Sequence, residues 1–294
     1  MARSVAPRLR VVQALRHPAY RRYWLGMVAS VTGFQVLQMG QGWLVYDLTG
    51  APLMLGLVGL AVALPSVLFN LFGGVVADRL DRRRLLVLTQ GTTAALVAFL
   101  AALTMLGLVQ VWHILVIAFL AGAVQAFDGP ARQALFPHLV PRQDLPYAVA
   151  LNSMVWQGTR VVGPSMAGVI MARAGAGAAF LAAAVGFAVM AAAVLSLALP
   201  PVPARPGHLL REMGEGLRFI RQHSTFSFLI GMTFFNSLFG MSYVFLMPVF
   251  AADILVVGEE GLGFLMGASG AGALMGTVLV GSVGNGRRRG WLLL

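Results

Sequence analysis

Eight long apolar segments follow one another along this chain of 294 residues, and they constrain its fold more than any other feature. A helix needs about 20 mostly apolar residues to cross the hydrocarbon core of a bilayer, where it must satisfy its own backbone hydrogen bonds. Only 11% of the residues are charged, so little sequence is left for a soluble domain. We therefore predict an all-α membrane protein, a helical bundle with spans at Tyr23–Tyr46, Pro52–Ala77, Leu85–Leu108, Val111–Phe127, Ala148–Ala172, Ala174–Leu199, Phe226–Ala252 and Gly261–Val283.

The basic residues predict how the spans are oriented. The net charge is +11, and all 21 basic residues are arginines. Nineteen of them fall on one predicted side, before the first span and after the second, fourth, sixth and eighth spans. Arg173 falls on the other side, and Arg160 lies inside a span. Because arginine-rich loops mark the cytoplasmic side, we expect a multi-pass membrane protein with a cytoplasmic N-terminus, whose positive charge faces lipid rather than nucleic acid.

Composition argues against several kinds of function. The chain has no cysteine, which excludes a thiolate metal site and a cysteine nucleophile, and its five histidines show no helical i, i+4 pair that would bind a metal. It has no lysine, so the GxxxxGK[ST] nucleotide loop is excluded. No paired carboxylates or Ser/His arrangement is apparent at membrane depth. We expect no metal, no cofactor and no enzymatic activity.

The chain is similar to itself at an offset of 206–207 residues. The matches are collinear and pair His17 with His223, Asp47 with Asp253, and Arg82 with Arg289. Six spans in the first copy give both copies the same orientation, as in transporters built from two parallel six-helix halves. We expect a six-helix bundle over residues 1–199, a cytoplasmic linker over 200–223 and an incomplete second bundle over 224–294, with about four further spans missing. A complete eight-span protein is the alternative.

The loop after the second predicted span resembles a known signature. The run from residue 73 to residue 84 is GGVVADRLDRRR, similar to the GxxxDRxGRR loop between the second and third helices of the major facilitator superfamily. Asp81 stands where that family usually has glycine. The resemblance implies that Asp78 locks the N-terminal bundle against a helix of the C-terminal bundle. A solvated loop without a switching role is the alternative. The implied gating residues are Gly74, Asp78, Arg79, Arg82 and Arg83.

A second resemblance is narrower. Residues 127–133, Pro137, residues 139–141 and residues 150–153 are similar to bacterial exporters of the enterobactin-exporter and transmembrane-secretion-effector type. It implies a monomeric secondary active exporter of small hydrophobic or siderophore-like molecules in the bacterial inner membrane, working by alternating access. The alternatives are a non-transporting fragment of such an exporter and an eight-span scaffold.

The fifth span carries a partial antiporter signature. Gly163, Pro164 and Gly168 match GxxxGPxxGG, Thr159 and Ala167 replace two of its glycines, and Gly158 lies directly before the first replaced position. The small residues allow close helix contact, and Pro164 removes one backbone donor and is expected to kink the helix. Gly163 and Pro164 are therefore candidate gating residues, and ordinary close packing is the alternative.

Polar residues inside the spans predict a cavity. Arg160 falls near the middle of the fifth span, where an unpaired charge is costly, so we expect it to face an aqueous cavity, an anionic substrate or Asp128; a structural arginine bonded to carbonyl groups is the alternative. Glutamines recur at every third position of the first span and predict one cavity wall. Interhelical hydrogen bonds are the alternative for these side chains. The candidate cavity residues besides Arg160 are Gln35, Gln38, Gln41, Gln125, Asn152, Gln157, Asn236 and Tyr243.

The residue that would couple transport to an ion is less well defined by the sequence. A proton-coupled exporter needs a group that can take up and release a proton from either side. No Asp or Glu falls deep inside a span, which leaves Asp47 near the outer end of the first span and Asp128 at the inner end of the fourth. Protons are therefore a candidate coupling ion, and the choice of ion stays open.

Overall fold

The computed structural model describes residues 11–197, 218, 222–240 and 242–282, and for residues 11–12, 70–79, 237–238, 242 and 277–282 it describes the backbone only. The described residues form helices and contain no strand. Short 3₁₀ helices cover Val11–Arg16, Phe136–His138 and Arg142–Asp144. The α-helices are α1 (Pro18–Thr49), α2 (Pro52–Arg79), α3 (Arg82–Met105), α4 (Val111–Leu135), α5 (Leu145–Leu195), α6 (Ser224–Phe235), α7 (Ser242–Val249) and α8 (Gly258–Ser282).

The fifth and sixth predicted spans follow each other in α5 without a loop between them. They meet at Gly175, whose φ of 79° and ψ of 166° are not helical. Positive φ is favourable for glycine because it lacks a Cβ atom, so the chain can turn there without a longer loop. The interruption divides α5 into residues 145–174 and 176–195. Helical dihedral angles continue through Pro164, so the proline does not end the helix.

The seventh predicted span is irregular. Helices α6 and α7 are joined by the π-helical turn Asn236–Gly240, and a second π-helical turn, Phe250–Ile254, follows α7. Most of the predicted linker at residues 200–223 lies outside the described residues, and so does most of the predicted second copy of the arginine loop. Within the described part, the stretches Pro52–Phe69, Arg82–Met105, Val111–His138 and Arg142–Leu195 combine high hydropathy with a length sufficient to cross a membrane.

The helices alternate in direction, as contacts between their residues demonstrate. The Tyr20 hydroxyl donates to the Ala148 carbonyl, and fifteen residues further along each of the two helices Gly163 contacts Gln35. Helix α1 therefore runs parallel to residues 145–174. Gly26 meets Ala193 and Gly33 meets Ala183, so α1 runs antiparallel to residues 176–195. We call the end with residues 80–81 and 136–144 the arginine-bearing end, and the end with residues 50–51, 106–110 and 173–175 the opposite end.

Glycines allow the closest approach between helices. A Cβ atom at Gly186 would lie 2.5 Å from the carbonyl oxygen of Ala29, and one at Gly33 would lie 2.8 Å from that of Ala183. Real side chains do not approach backbone atoms so closely, so α1 and α5 contact each other at glycine positions. The apolar core divides into two clusters, one around Tyr23 and Leu86 towards the arginine-bearing end and one around Leu100 and Phe180 towards the opposite end.

Candidate functional site

A cavity of about 240 Å³ lies between α1, α2, α4 and the helices of residues 242–282. We call it the apolar cavity, because most of its lining side chains are aliphatic or aromatic, among them Phe34, Phe245 and Met266. Its polar residues include Gln38, Gln41 and Gln125, all predicted from the sequence as cavity residues. The Gln41 side chain is 3% exposed, and its Nε2 atom has no hydrogen-bond partner among the described residues. The wall of the apolar cavity therefore includes a residue whose hydrogen-bond donor has no acceptor among the described residues.

A second cavity, of about 210 Å³, is more polar. We call it the arginine cavity, because Arg160 lines it together with residues of α1, α7 and α8. Arg160 is exposed, lies midway along residues 145–174 and forms no salt bridge with a described residue. The hydroxyl groups of Tyr243 and Ser269 are 2.7 Å apart. The predicted residues that line this cavity are Gln35, Gln38, Arg160, Pro164 and Tyr243.

The two cavities adjoin each other. Gln38, Val244, Phe245 and Met266 line both of them, so a molecule of moderate size would contact both walls at once. Gln38 therefore occupies the position where the apolar and arginine cavities meet. We refer to them together as the paired cavities.

Helices α5 and α8 are in tight contact from the opposite end as far as the depth of Arg160. A Cβ atom added to any of three glycines in this contact would lie 2.6 Å from a backbone carbonyl oxygen of the facing helix. Further along α8, Gly272 and Gly276 have no such neighbour within 4 Å. The glycine contacts of α8 with α5 thus reach from the opposite end as far as Gly270, midway along α8. The close pairs are Gly168 with Glu259, Gly263 with Pro164, and Gly270 with Arg160.

A hydrogen bond also joins the first predicted repeat copy to the second at the opposite end. The Tyr46 hydroxyl at the end of α1 donates to a carboxylate oxygen of Asp253 in the second π-helical turn. Nearby, a Cβ atom at Gly42 would lie 3.6 Å from Pro248, which is ordinary van der Waals contact. Together with the α5–α8 contact, these interactions join the two predicted repeat copies at the opposite end.

The predicted gating arginines at the arginine-bearing end bind the ends of other helices. Arg83 donates from Nε to the Val194 carbonyl at 3.2 Å and from Nη2 to the Leu195 carbonyl. These carbonyls lie at the C-terminus of α5, where a cation interacts favourably with the helix dipole. Asp81 accepts hydrogen bonds from the backbone amides of Arg83 and Arg84, so it caps α3 where the superfamily signature has glycine. For Gly74, Asp78 and Arg79 the structure describes only the backbone, which is part of α2.

Arg82 makes a different contact at the same end. Its Nη1 atom donates to the Ala134 carbonyl at 3.2 Å and lies 2.8 Å from Nε2 of His138. Arg82 therefore ties the start of α3 to the end of α4. Arg82 and Arg83 are thus both bonded to the helices and turns of residues 111–195.

Asp128 is part of a buried polar cluster between α1, α3 and α4. Its carboxylate accepts from Thr89 Oγ1 at 2.9 Å, from Gln90 Nε2 at 2.6 Å and from Arg132 Nε at 2.5 Å. The Arg132 guanidinium also donates from Nη2 to Ser30 Oγ at 3.0 Å. Asp128 is 1% exposed and Arg132 8% exposed, so this ion pair is shielded from solvent. The expected contact between Asp128 and Arg160 is not formed, because Asp128 is paired with Arg132.

Four other predicted residues do not line the paired cavities. Asn152 accepts a hydrogen bond from the Tyr20 hydroxyl at 3.0 Å and belongs to the helix contact at the arginine-bearing end. Gln157 is half-buried and Asn236 is exposed, and neither borders the paired cavities. Asp47 is exposed near the C-terminus of α1.

The position of Arg132 differs from the sequence prediction, and its buried partners were not predicted. Arg132 was expected in a cytoplasmic loop, but α4 continues to Leu135 and buries it. Asp128 and Arg132 are four residues apart, which places both on one helix face, and this spacing was the available signal. Nothing in the sequence identified Thr89, Gln90 or Ser30, since single hydroxyl and amide side chains are common in apolar helices. The Tyr46–Asp253 pair and Ser269 were missed for the same reason.

Comparison with known families identifies the chain. The family model of the transmembrane secretion effectors matches residues 11–286. The chain belongs to this family. It is thus a multi-pass, all-α membrane protein of the major facilitator type, as the arginine loop and the span pattern predicted. The family and the relatives described next are transporters, which agrees with the expectation that the chain is not an enzyme.

Individual relatives are similar over most of this chain. The staphyloferrin A transporter of Staphylococcus aureus is 27% identical over 249 residues, 84% of this chain and 62% of its own length. Macrolide efflux protein A of Streptococcus pyogenes is 25% identical over 277 residues, 90% of this chain and 67% of its own length. The enterobactin exporter EntS of Escherichia coli is 26% identical over 280 residues, 95% of this chain and 67% of its own length. The chain therefore spans about two thirds of the length of these relatives.

Proposed function

We propose that this chain forms the substrate cavity of a secondary active exporter of small hydrophobic or siderophore-like molecules in a bacterial inner membrane, working by alternating access. The observation that carries the proposal is the pair of adjoining cavities between the first six predicted spans and residues 242–282. Ligand sites of transporters lie near the middle of the membrane at the interface of two repeats, which is the arrangement proposed here. The names of the relatives, a siderophore transporter, a macrolide efflux protein and a siderophore exporter, support efflux of small molecules.

The asymmetry of the contacts supports an inward-facing state. Alternating access requires the cavity to be closed at one end and accessible at the other. The α5–α8 contact and the Tyr46–Asp253 hydrogen bond would close the opposite end, and the glycine contacts between α5 and α8 are found between that end and Gly270, midway along α8. Gly163 and Pro164 belong to the surface of α5 at this contact, and we propose them as gating residues with Gly74, Asp78, Arg79, Arg82 and Arg83. With the arginine-bearing end assigned to the cytoplasm, the paired cavities face inward.

Asp128 is the better of the two candidates for proton coupling. Its carboxylate is held by Arg132, so a proton gained or lost there would weaken or restore a tie between three helices. Asp47 is exposed and lines neither cavity. We propose that the chain acts as a monomer and that protons are the coupling ion.

An accumulation assay in cells tests the proposal. The full chain is expressed in bacteria that lack their major efflux pumps, and the cells are loaded with the neutral fluorescent probe N-phenyl-1-naphthylamine. We expect energised cells with the chain to retain less probe than cells with an empty vector. Gln38→Trp fills the junction of the paired cavities and is expected to abolish the difference.

Leu25→Trp is the matched control, because Leu25 lies on the same helix with 56% of its surface exposed. This variant is expected to behave like the unmodified chain at equal membrane abundance. Equal retention of the probe with and without the chain would contradict export by this chain. It would favour the alternative that the chain is a non-transporting fragment of such an exporter.

A further inference from the structure

We propose that the paired cavities select amphipathic anions, molecules with an apolar or aromatic body and one acidic group, and that Arg160 binds the acidic group. This inference rests on the proposed function and names the class of substrate. It concerns the sign of the charge that the cavities accept, which a helical fold alone does not determine.

The charge of the residues that line the cavities is the first argument for an anionic ligand. Among the described residues that line the paired cavities, Arg160 alone is charged, and no Asp or Glu lines either of them. The acid expected to neutralise it, Asp128, is paired with Arg132 in a separate buried cluster. An arginine without a counterion inside a membrane protein is costly, and a bound anion removes that cost. A cationic ligand in the same cavity would meet like charge without any compensating carboxylate.

The hydrogen-bonding groups of the walls point to the same ligand. Gln41 borders the apolar cavity, and its Nε2 donor has no partner among the described residues. In the arginine cavity, the hydroxyls of Tyr243 and Ser269 share one hydrogen bond, which uses only one of their two hydrogens. The guanidinium of Arg160 adds further donors. Gln41 Nε2 is a buried donor, and the exposed side chains of Tyr243 and Arg160 add further donors on the cavity walls. These donors favour a ligand rich in acceptor oxygens, such as a carboxylate, sulfonate or catecholate.

The arrangement of the two cavities explains why the anion would be amphipathic. Phe34, Phe187 and Phe245 line the apolar cavity, which suits an aromatic or aliphatic body. Gln38 lies where this cavity meets the arginine cavity, so a ligand that places its body on one side brings its acidic group towards Arg160. A small inorganic anion would leave the apolar walls unused.

Two probes that differ only in charge test the inference. 8-Anilinonaphthalene-1-sulfonate and N-phenyl-1-naphthylamine share one aromatic body, and only the first carries a sulfonate. The full chain is placed in nanodiscs of zwitterionic lipid, and binding is measured by titration calorimetry after subtraction of empty nanodiscs. We expect Arg160→Gln to weaken sulfonate binding about tenfold or more, the usual effect of removing a hydrogen bond to a charged group. Binding of the neutral probe is expected to stay within about twofold, because the apolar walls are unchanged.

Two further variants separate the roles of Arg160. Arg160→Lys keeps the charge and is expected to retain most of the sulfonate affinity. Arg173→Gln removes an exposed arginine at the opposite end, outside both cavities, and is expected to change neither affinity. A loss confined to the sulfonate probe in Arg160→Gln supports anion selection.

Other outcomes would overturn the inference. Unchanged sulfonate binding in Arg160→Gln, or equal weakening of both probes, refutes anion selection by Arg160, while retained binding of the neutral probe to the unmodified chain leaves the proposed function in place. If neither probe binds to the unmodified chain, the ligand cavity itself is refuted, and the proposed function with it.

Discussion

The Asp128–Arg132 pair is the most consequential buried contact between single residues. Both side chains are nearly inaccessible; Thr89 and Gln90 donate to the Asp128 carboxylate and Arg132 donates to Ser30, while Arg132 Nη1 and Gln90 Oε1 have no partner among the described residues. Taking two charges out of water is expensive, and their attraction compensates only when the other polar groups nearby also find partners. The cluster therefore ties α1, α3 and α4 together at the arginine-bearing end, where Arg82 and Arg83 tie α3 to α4 and α5.

Removing one member of this pair is expected to destabilise the fold strongly. Asp128→Asn keeps the shape of the side chain but leaves the Arg132 guanidinium without its counterion, which typically costs about 3–5 kcal/mol. The free energy of unfolding can be measured in detergent micelles with increasing sodium dodecyl sulfate, followed by circular dichroism. The double variant Asp128→Asn with Arg132→Met is expected to lose clearly less than the sum of the two single variants. Simple additivity would show that the two residues do not stabilise each other.

At the scale of elements, helix contacts in this chain depend on where glycines fall on a helix surface. Gly33 and Gly186 meet backbone atoms of the facing helix, and Gly168 and Gly263 do the same between α5 and α8. Other glycines, such as Gly158, have no neighbour within 4 Å. In lipid, helices associate through close packing rather than through the hydrophobic effect, so a single added methyl group can separate two helices.

A pair of glycine substitutions on α5 isolates this effect. Gly186→Ala would place a Cβ atom 2.5 Å from the Ala29 carbonyl oxygen, whereas Gly158→Ala would meet nothing within 4 Å. Both changes gain the same helix propensity, so propensity cancels in the comparison. We expect Gly186→Ala to be less stable than Gly158→Ala by about 1–3 kcal/mol, the usual cost of overpacking. Equal unfolding free energies in detergent would contradict the close contact of α1 with α5.

At the scale of the whole molecule, the two ends of the helices differ in their contacts and in their charge. Tyr46 and Asp253 join regions that are 207 residues apart in the chain. The arginines on the described helix ends and loops are concentrated at the end distant from this contact, with Arg173 at the same end as Tyr46. The concentration of arginines at one end and the Tyr46–Asp253 contact at the other thus distinguish the two ends of the molecule. The cytoplasmic position of the arginine-bearing end stays a prediction.

Cysteine labelling can determine that orientation, because the chain has no cysteine of its own. Arg142→Cys places a thiol at the arginine-bearing end and Arg173→Cys places one at the opposite end, and both positions are exposed. An impermeant maleimide added to intact cells is expected to label the thiol at residue 173 and to reach residue 142 only after the membrane is made permeable. Labelling of residue 142 in intact cells would reverse the proposed topology and the inward-facing assignment.

Local patterns in the sequence predicted the class and family of this protein. Long apolar segments are a property of composition, and the arginine loop of residues 78–84 is contiguous, so both can be recognised without tertiary structure. The cavity residues were predicted in part. Gln35, Gln38, Gln41, Gln125, Arg160 and Tyr243 line the paired cavities, whereas Asn152, Gln157 and Asn236 do not.

The amino-acid sequence is sufficient to identify a helical membrane protein of a transporter family, because the bilayer imposes the length and polarity of every span. Which polar side chains meet depends on the tertiary structure. Arg132 is buried in a helix rather than exposed in a loop, and Asp128 pairs with Arg132 instead of Arg160. The Tyr46 hydroxyl donates to Asp253. The physical reason is that a span's apolar pattern determines where it lies but not how it is rotated against its neighbours. That rotation depends on packing between helices distant in the chain.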